Sequence, residues 1–207
     1  MSTFVRLKRH PGGIIAAGIL VAALSIASLA SAASKACIPD VPLVDSHGQP
    51  FDPASLKGKA TLLDFVHTSC PGVCMTLTEK FSDVARKLGP QMGSDVMLLS
   101  VSNDPEHDNP AQLLKLARKH GADQSGWYFV TGKPDDVAKM LQAFGLNGKE
   151  PDGEPAHIPQ VFLLGPDGCT VHDYNGIIMK PKLVADQMRQ AASVNQAKVQ
   201  TGLHQHL

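Results

Sequence analysis

The chain has 207 residues, with 19 acidic and 19 basic side chains and 43% hydrophobic residues. That balance supplies no overall field to draw in nucleic acid or an anionic membrane surface. The length leaves room for one well-buried domain behind a leader but not for two.

Residues 1–10 carry Arg6, Lys8, Arg9 and His10, and residues 14–33 hold no charge at all. A basic start, an apolar run and the small-residue site Ala30-Ser31-Ala32 predict that 1–33 is a signal peptide or an N-terminal membrane anchor. In either case the rest of the chain is exported, with the basic end left on the cytoplasmic side. The expected location is periplasmic, soluble or anchored to the inner membrane.

Residues 34–58 form a lead-in with a hairpin around Val44-Asp45-Ser46-His47-Gly48-Gln49-Pro50-Phe51. Residues 59–66 are an apolar run of buried-strand type that stops at His67. Leu77, Phe81, Val84, Ala85 and Leu88 then recur at helical spacing over 75–88, and Gly89-Pro90 ends that helix. Residues 96–101 are a second buried strand. Asn109 offers a helix cap with Pro110 in the first helical position, and that helix continues to Gly121. A short strand at 127–130 precedes a helix over 134–144 closed by Gly145. A polar loop follows at 148–156, then a hairpin of strands 161–164 and 170–174 around Pro166-Asp167-Gly168, and a last helix over 181–198. Residues 199–207, with His204 and His206, read as a mobile tail. This order predicts an α/β fold, a mixed central sheet with helices on both faces, in one domain over 34–198.

The chemistry centres on Cys70-Pro71-Gly72-Val73-Cys74, placed where a buried strand hands over to a helix. A helix N-terminus offers unpaired N–H groups and positive potential, which lower a thiol's pKa. The four-residue offset puts both sulfurs on one face of a first turn. Two such thiolates can form a disulfide or chelate a soft cation, copper(I) or zinc above all. Thioredoxin-like redox enzymes have two residues between their cysteines; the three here leave room for a metal. A third ligand is then needed, and His157, at the end of the polar loop, is the candidate. His67 is near enough to tune the thiolates, although a strand-end histidine bonded to backbone is the plainer reading.

Three segments together resemble the Sco/SenC family of copper-binding assembly proteins. They are Leu63-Asp64-Phe65-Val66-His67-Thr68-Ser69-Cys70-Pro71-Gly72-Val73-Cys74, Leu99 through Pro110, and His157-Ile158-Pro159-Gln160-Val161-Phe162-Leu163-Leu164-Gly165-Pro166-Asp167-Gly168. The resemblance spans about residues 40–190. It implies a thioredoxin-like three-layer fold and one copper ion, Cu(I) or Cu(II), bound by Cys70, Cys74 and His157. It also implies a metallochaperone for the cytochrome c oxidase copper centre, whose partner is that copper-centre subunit or another copper or thiol protein. The alternative is a thiol-disulfide oxidoreductase or redox sensor in which Cys70 attacks and Cys74 resolves. A peroxidase would need an arginine near Thr68, and none is close in sequence.

Two departures from the family pattern bear on that choice. Met75 stands where proline often follows the second cysteine, and a methionine there is core filler or an extra soft ligand. The Ile158-Pro159 step is like the cis-proline of thioredoxin-like reductases, which would favour disulfide exchange. Asp104 and Asp108 read as turn and cap residues. Cys37 and Cys169 are left open as a disulfide pair, free thiols or, for Cys37, a lipidation site.

Overall fold

The computed structural model describes residues 35–70 and 72–203. Residues 1–33, where a signal peptide or anchor is expected, together with Pro71, His204 and His206, lie outside the described residues.

Seven strands and four α-helices follow one another in the order β1 Leu43–Asp45, β2 Pro50–Phe51, β3 Ala60–Val66, α1 Val73–Leu88, β4 Val96–Ser102, α2 Pro110–Lys119, β5 Trp127–Gly132, α3 Pro134–Ala143, β6 Gln160–Leu164, β7 Thr170–Asn175 and α4 Pro181–Leu203. They build one sheet in the order β2-β1-β5-β4-β3-β6-β7. The central trio β3, β4 and β5 is parallel, as helical crossovers require. β6 and β7 return antiparallel on one side, and β1 and β2 on the other. This is the mixed α/β sheet that the strand–helix alternation predicts.

β3 and β4 are buried at every position, as strands covered on both faces must be. Successive side chains alternate between two cores. Leu62, Val66 and Leu98 face a layer with Leu77, Phe81, Leu113, Val184 and Met188 from α1, α2 and α4. Leu63, Phe65, Leu99 and Val101 face a second layer with Val137, Met140 and Phe144 on the α3 side.

The local signals act as their chemistry dictates. Asn109 caps α2 by accepting from the Gln112 N–H at 3.0 Å, while the Gln112 side chain accepts from the Asn109 N–H at 2.9 Å. Gly89 ends α1 with φ +55°, a conformation that a Cβ would strain. α4 runs on to Leu203 instead of ending near 198. Among the described residues no helix is long and apolar enough to cross a membrane.

Cys37 and Cys169 are joined in a disulfide. Their backbones also form an isolated antiparallel bridge, which fastens the start of the described chain to the β6–β7 turn.

Gly176, just past β7, marks where the site loop is pressed against α1. Its N–H donates to the Pro159 carbonyl at 2.7 Å. A Cβ there would run into the Leu77 side chain and stand 2.9 Å from Val161 Cγ2 and 3.0 Å from the Pro159 oxygen. Gly176→Ala should therefore cost about 1–3 kcal/mol through overpacking. Urea unfolding measures this, and an unchanged midpoint would show that the contact relaxes freely.

Candidate metal centre

β3 delivers its last residues to the end of the sheet, and the chain then turns through His67-Thr68-Ser69-Cys70 into α1. Cys70 lies in that turn, its N–H donating to the His67 carbonyl at 3.2 Å. Cys74 is in the first turn of α1, and its N–H donates to the Cys70 sulfur at 3.2 Å. Both cysteines are free and buried. Cys70 stands before the helix and not in its first turn, yet the two sulfurs still lie within 4.8 Å of each other.

One donor of the group lies in a role that its place in the sequence does not suggest. His67 is 4% exposed, and its side chain makes no backbone hydrogen bond. Nδ1 pairs with Ser69 Oγ at 2.9 Å, and Nε2 is buried with no hydrogen-bond partner. One ring nitrogen of His67 and the sulfurs of Cys70 and Cys74 all lie within 4.8 Å of one another. His157 stands exposed above this group and meets the His67 ring edge to face, with centroids 5.3 Å apart. The cysteine pair, His67 and His157 therefore converge, with His67 innermost. Met75 is half-buried beside them in the first turn of α1.

The electrostatics depart from the helix-dipole expectation. Burial pushes the Cys74 thiol strongly up, and the neighbouring Cys70 adds to the shift. The dipole favours a thiolate, but at 2% exposure the loss of hydration outweighs it. Burial and then the nearby His157 hold His67 below the ordinary imidazole value, against the pull of Asp108 and Asp104. The neutral ring keeps a lone pair for a ligand.

The segment after β4 holds both halves of the site in place. Asp108, 2% exposed, accepts from Ser102 Oγ at 2.7 Å, from the Thr68 N–H at 3.2 Å and from the Thr68 hydroxyl. It anchors the cysteine loop and is not a helix cap, since Asn109 fills that role. Asn103 takes the other half: its side-chain amide donates to the Ala156 carbonyl at 2.9 Å, one residue before His157. The Asn103 N–H also donates to the Val66 carbonyl at 2.9 Å. The Ile158–Pro159 bond is trans, so the cis-proline considered for this step is not present.

A soft monovalent metal suits this donor set: two thiols and a neutral imidazole whose buried Nε2 has no hydrogen-bond partner, in a shell otherwise closed by Thr, Ser and Asp hydrogen bonds. Hard cations would find too few oxygens among these three donors.

Comparison with known proteins agrees with that chemistry. The SCO1/SenC family model matches residues 30–193. The SCO1 protein homolog of Bacillus subtilis is 37% identical over 131 residues, covering 61% of this chain and 67% of that protein. The chain spans 60–67% of the length of three curated relatives that it matches. Among solved structures, copper-bound ScoI of Bradyrhizobium japonicum is 27% identical at TM-score 0.64, over 76% of this chain and 99% of that one. BsSco, a Sco-family cytochrome c oxidase assembly protein in which a disulfide switch has been identified, is 30% identical at TM-score 0.67, over 77% and 95%. The seven-stranded sheet is thus the thioredoxin-like fold of these proteins, and this chain belongs to the SCO1/SenC family.

Proposed function

We propose that this chain is an exported copper metallochaperone that serves assembly of the cytochrome c oxidase copper centre. The observation that carries the reading is the buried convergence of two free thiols on the His67 imidazole, whose Nε2 has no hydrogen-bond partner. In this reading Cys70 and Cys74 are the thiolate ligands. His157 completes the set at the surface, where an acceptor's thiols or imidazoles can replace the protein's donors one at a time. The copper-bound ScoI and the assembly role of BsSco support the cargo and the destination. The Cys37–Cys169 disulfide supports export, because such bonds persist in oxidising compartments. The charge-free run at 14–33 supports the same conclusion.

Binding exchanges thiol protons for metal. Burial keeps the Cys74 proton in place until a thiophilic ion displaces it. Disulfide exchange with the same cysteines is the weaker reading, since burial disfavours the Cys74 thiolate that resolution needs, and the Ile158–Pro159 bond is trans.

Titration of the reduced protein with Cu(I) against a chromophoric chelator tests the proposal. One equivalent should bind tightly, and the Cys70→Ser/Cys74→Ser double variant should lose at least about a thousandfold in affinity. Equal binding by that variant, or none by the wild type, would sink the copper reading.

A further inference from the structure

We propose that His67 is itself a copper ligand, so that the site has an inner position, Cys70–Cys74–His67, beneath the surface ligand His157. The inference rests on the copper reading and concerns how the ion is held and released.

Four observations carry it. First, among the described histidines, cysteines and acids, the only group that closes to metal-binding distance is His67, Cys70 and Cys74, all three buried. Second, His67 Nε2 is a buried polar atom with no hydrogen-bond partner. Such an atom costs stability unless something occupies it. Third, Ser69 Oγ sits 2.9 Å from Nδ1 and can accept a hydrogen bond from Nδ1–H, the tautomer in which Nε2 carries the free lone pair. Fourth, the exposed His157 ring stacks edge to face on His67 and is not among the donors that close together with the two sulfurs.

Cu(I) readily takes three donors. Two thiols give up their protons to solvent, and the ion joins two sulfurs and the His67 nitrogen. His157 can replace the His67 nitrogen without any change in oxidation state or ligand number, because the two rings are in contact. The ion then rests in the buried position and leaves through the exposed one. A buried resting site shields Cu(I) from water and oxidant, and an exposed second imidazole keeps it within an acceptor's reach.

The test combines imidazole 15N NMR of the reduced, Cu(I)-loaded wild type with Cu(I) affinities of His67→Phe and His157→Ala. Phenylalanine keeps an aromatic ring against His157 and removes the donor. The His67 Nε2 resonance, assigned by its loss in His67→Phe, should shift on addition of one equivalent of Cu(I). His67→Phe should lose at least about tenfold in affinity. His157→Ala should lose less affinity, while slowing release of the ion to a competing chelator by at least about fivefold. An unshifted His67 signal, together with His67→Phe affinity within about threefold of wild type, would overturn the inner site and leave the copper reading standing. Failure of the wild type to bind Cu(I), or full binding by Cys70→Ser/Cys74→Ser, would instead overturn the copper reading and the inner site with it. Unfolding curves for both histidine variants separate a lost ligand from a lost fold.

Discussion

Replacing Cys37 and Cys169 together by alanine should lower the unfolding free energy by about 3–5 kcal/mol and the melting temperature by roughly 10 °C. The bond closes a loop with a sequence separation of 132 residues, so most of the fold lies between its ends. Cross-linking so long a loop removes close to the largest share of unfolded-state entropy that a single disulfide can. The same substitution should leave Cu(I) affinity within about twofold of wild type, since the changed contacts are remote from the site. β6 accounts for that separation: Gln160 opens the strand next to the His157 loop, and Leu164 closes it next to the turn that holds Cys169. Calorimetry under non-reducing conditions reads the first effect, and chelator competition reads the second. An unchanged melting temperature would mean that the bond is not formed in the folded protein.

A second large effect comes from Asp64. It lies in the middle of β3, fully buried, and neither carboxyl oxygen has a well-formed hydrogen bond. Burial pushes its pKa up from 3.8 to about 7, and the cross-strand neighbour Ser100 offsets only part of this. A carboxyl whose folded pKa exceeds its unfolded value stabilises the fold at low pH and withdraws that contribution as pH rises. The contribution is complete below about pH 4 and declines between there and about pH 7. The full swing is about 4 kcal/mol as an upper figure. Asp64→Asn removes the titration and keeps the shape. The variant should gain on wild type with rising pH, and its stability should be flatter between pH 4 and 8. A wild-type profile that matches the variant's across that range would refute the assignment.

How much of this could be read from the residues depended on the range of the interactions involved. β3, α1 and the capped start of α2 rest on local signals: an apolar run, helical spacing and an Asn-Pro step. Those signals placed the cysteine corner correctly. The pairing of Cys37 with Cys169 is not legible in the sequence, because nothing local distinguishes a disulfide from free thiols across such a separation. Asp108 read as a turn or cap residue because its true partner, Thr68, is 40 positions away. His67 read as backbone-bonded because a strand-end histidine usually finds a carbonyl. Here the ring's hydrogen bond goes to the Ser69 side chain instead, and Nε2 makes none. The thiol expectation erred for a different reason. Helix polarity can be seen from position in the sequence, but the depth to which α1 and the β3 loop bury Cys74 cannot.

The paired hydrogen bonds of Asn103 and Asp108 have a mechanical consequence. One short segment after β4 ties down the cysteine turn and the backbone beside His157 at once. The two walls of the site are therefore cross-braced through that segment. With the walls fixed, rotation of side chains is the low-energy motion left, and the exposed His157 ring has the most room to rotate. The protein is then better described as a socket with one swinging contact than as a clamp that opens. On the copper reading, an acceptor would meet that exposed ring before either sulfur.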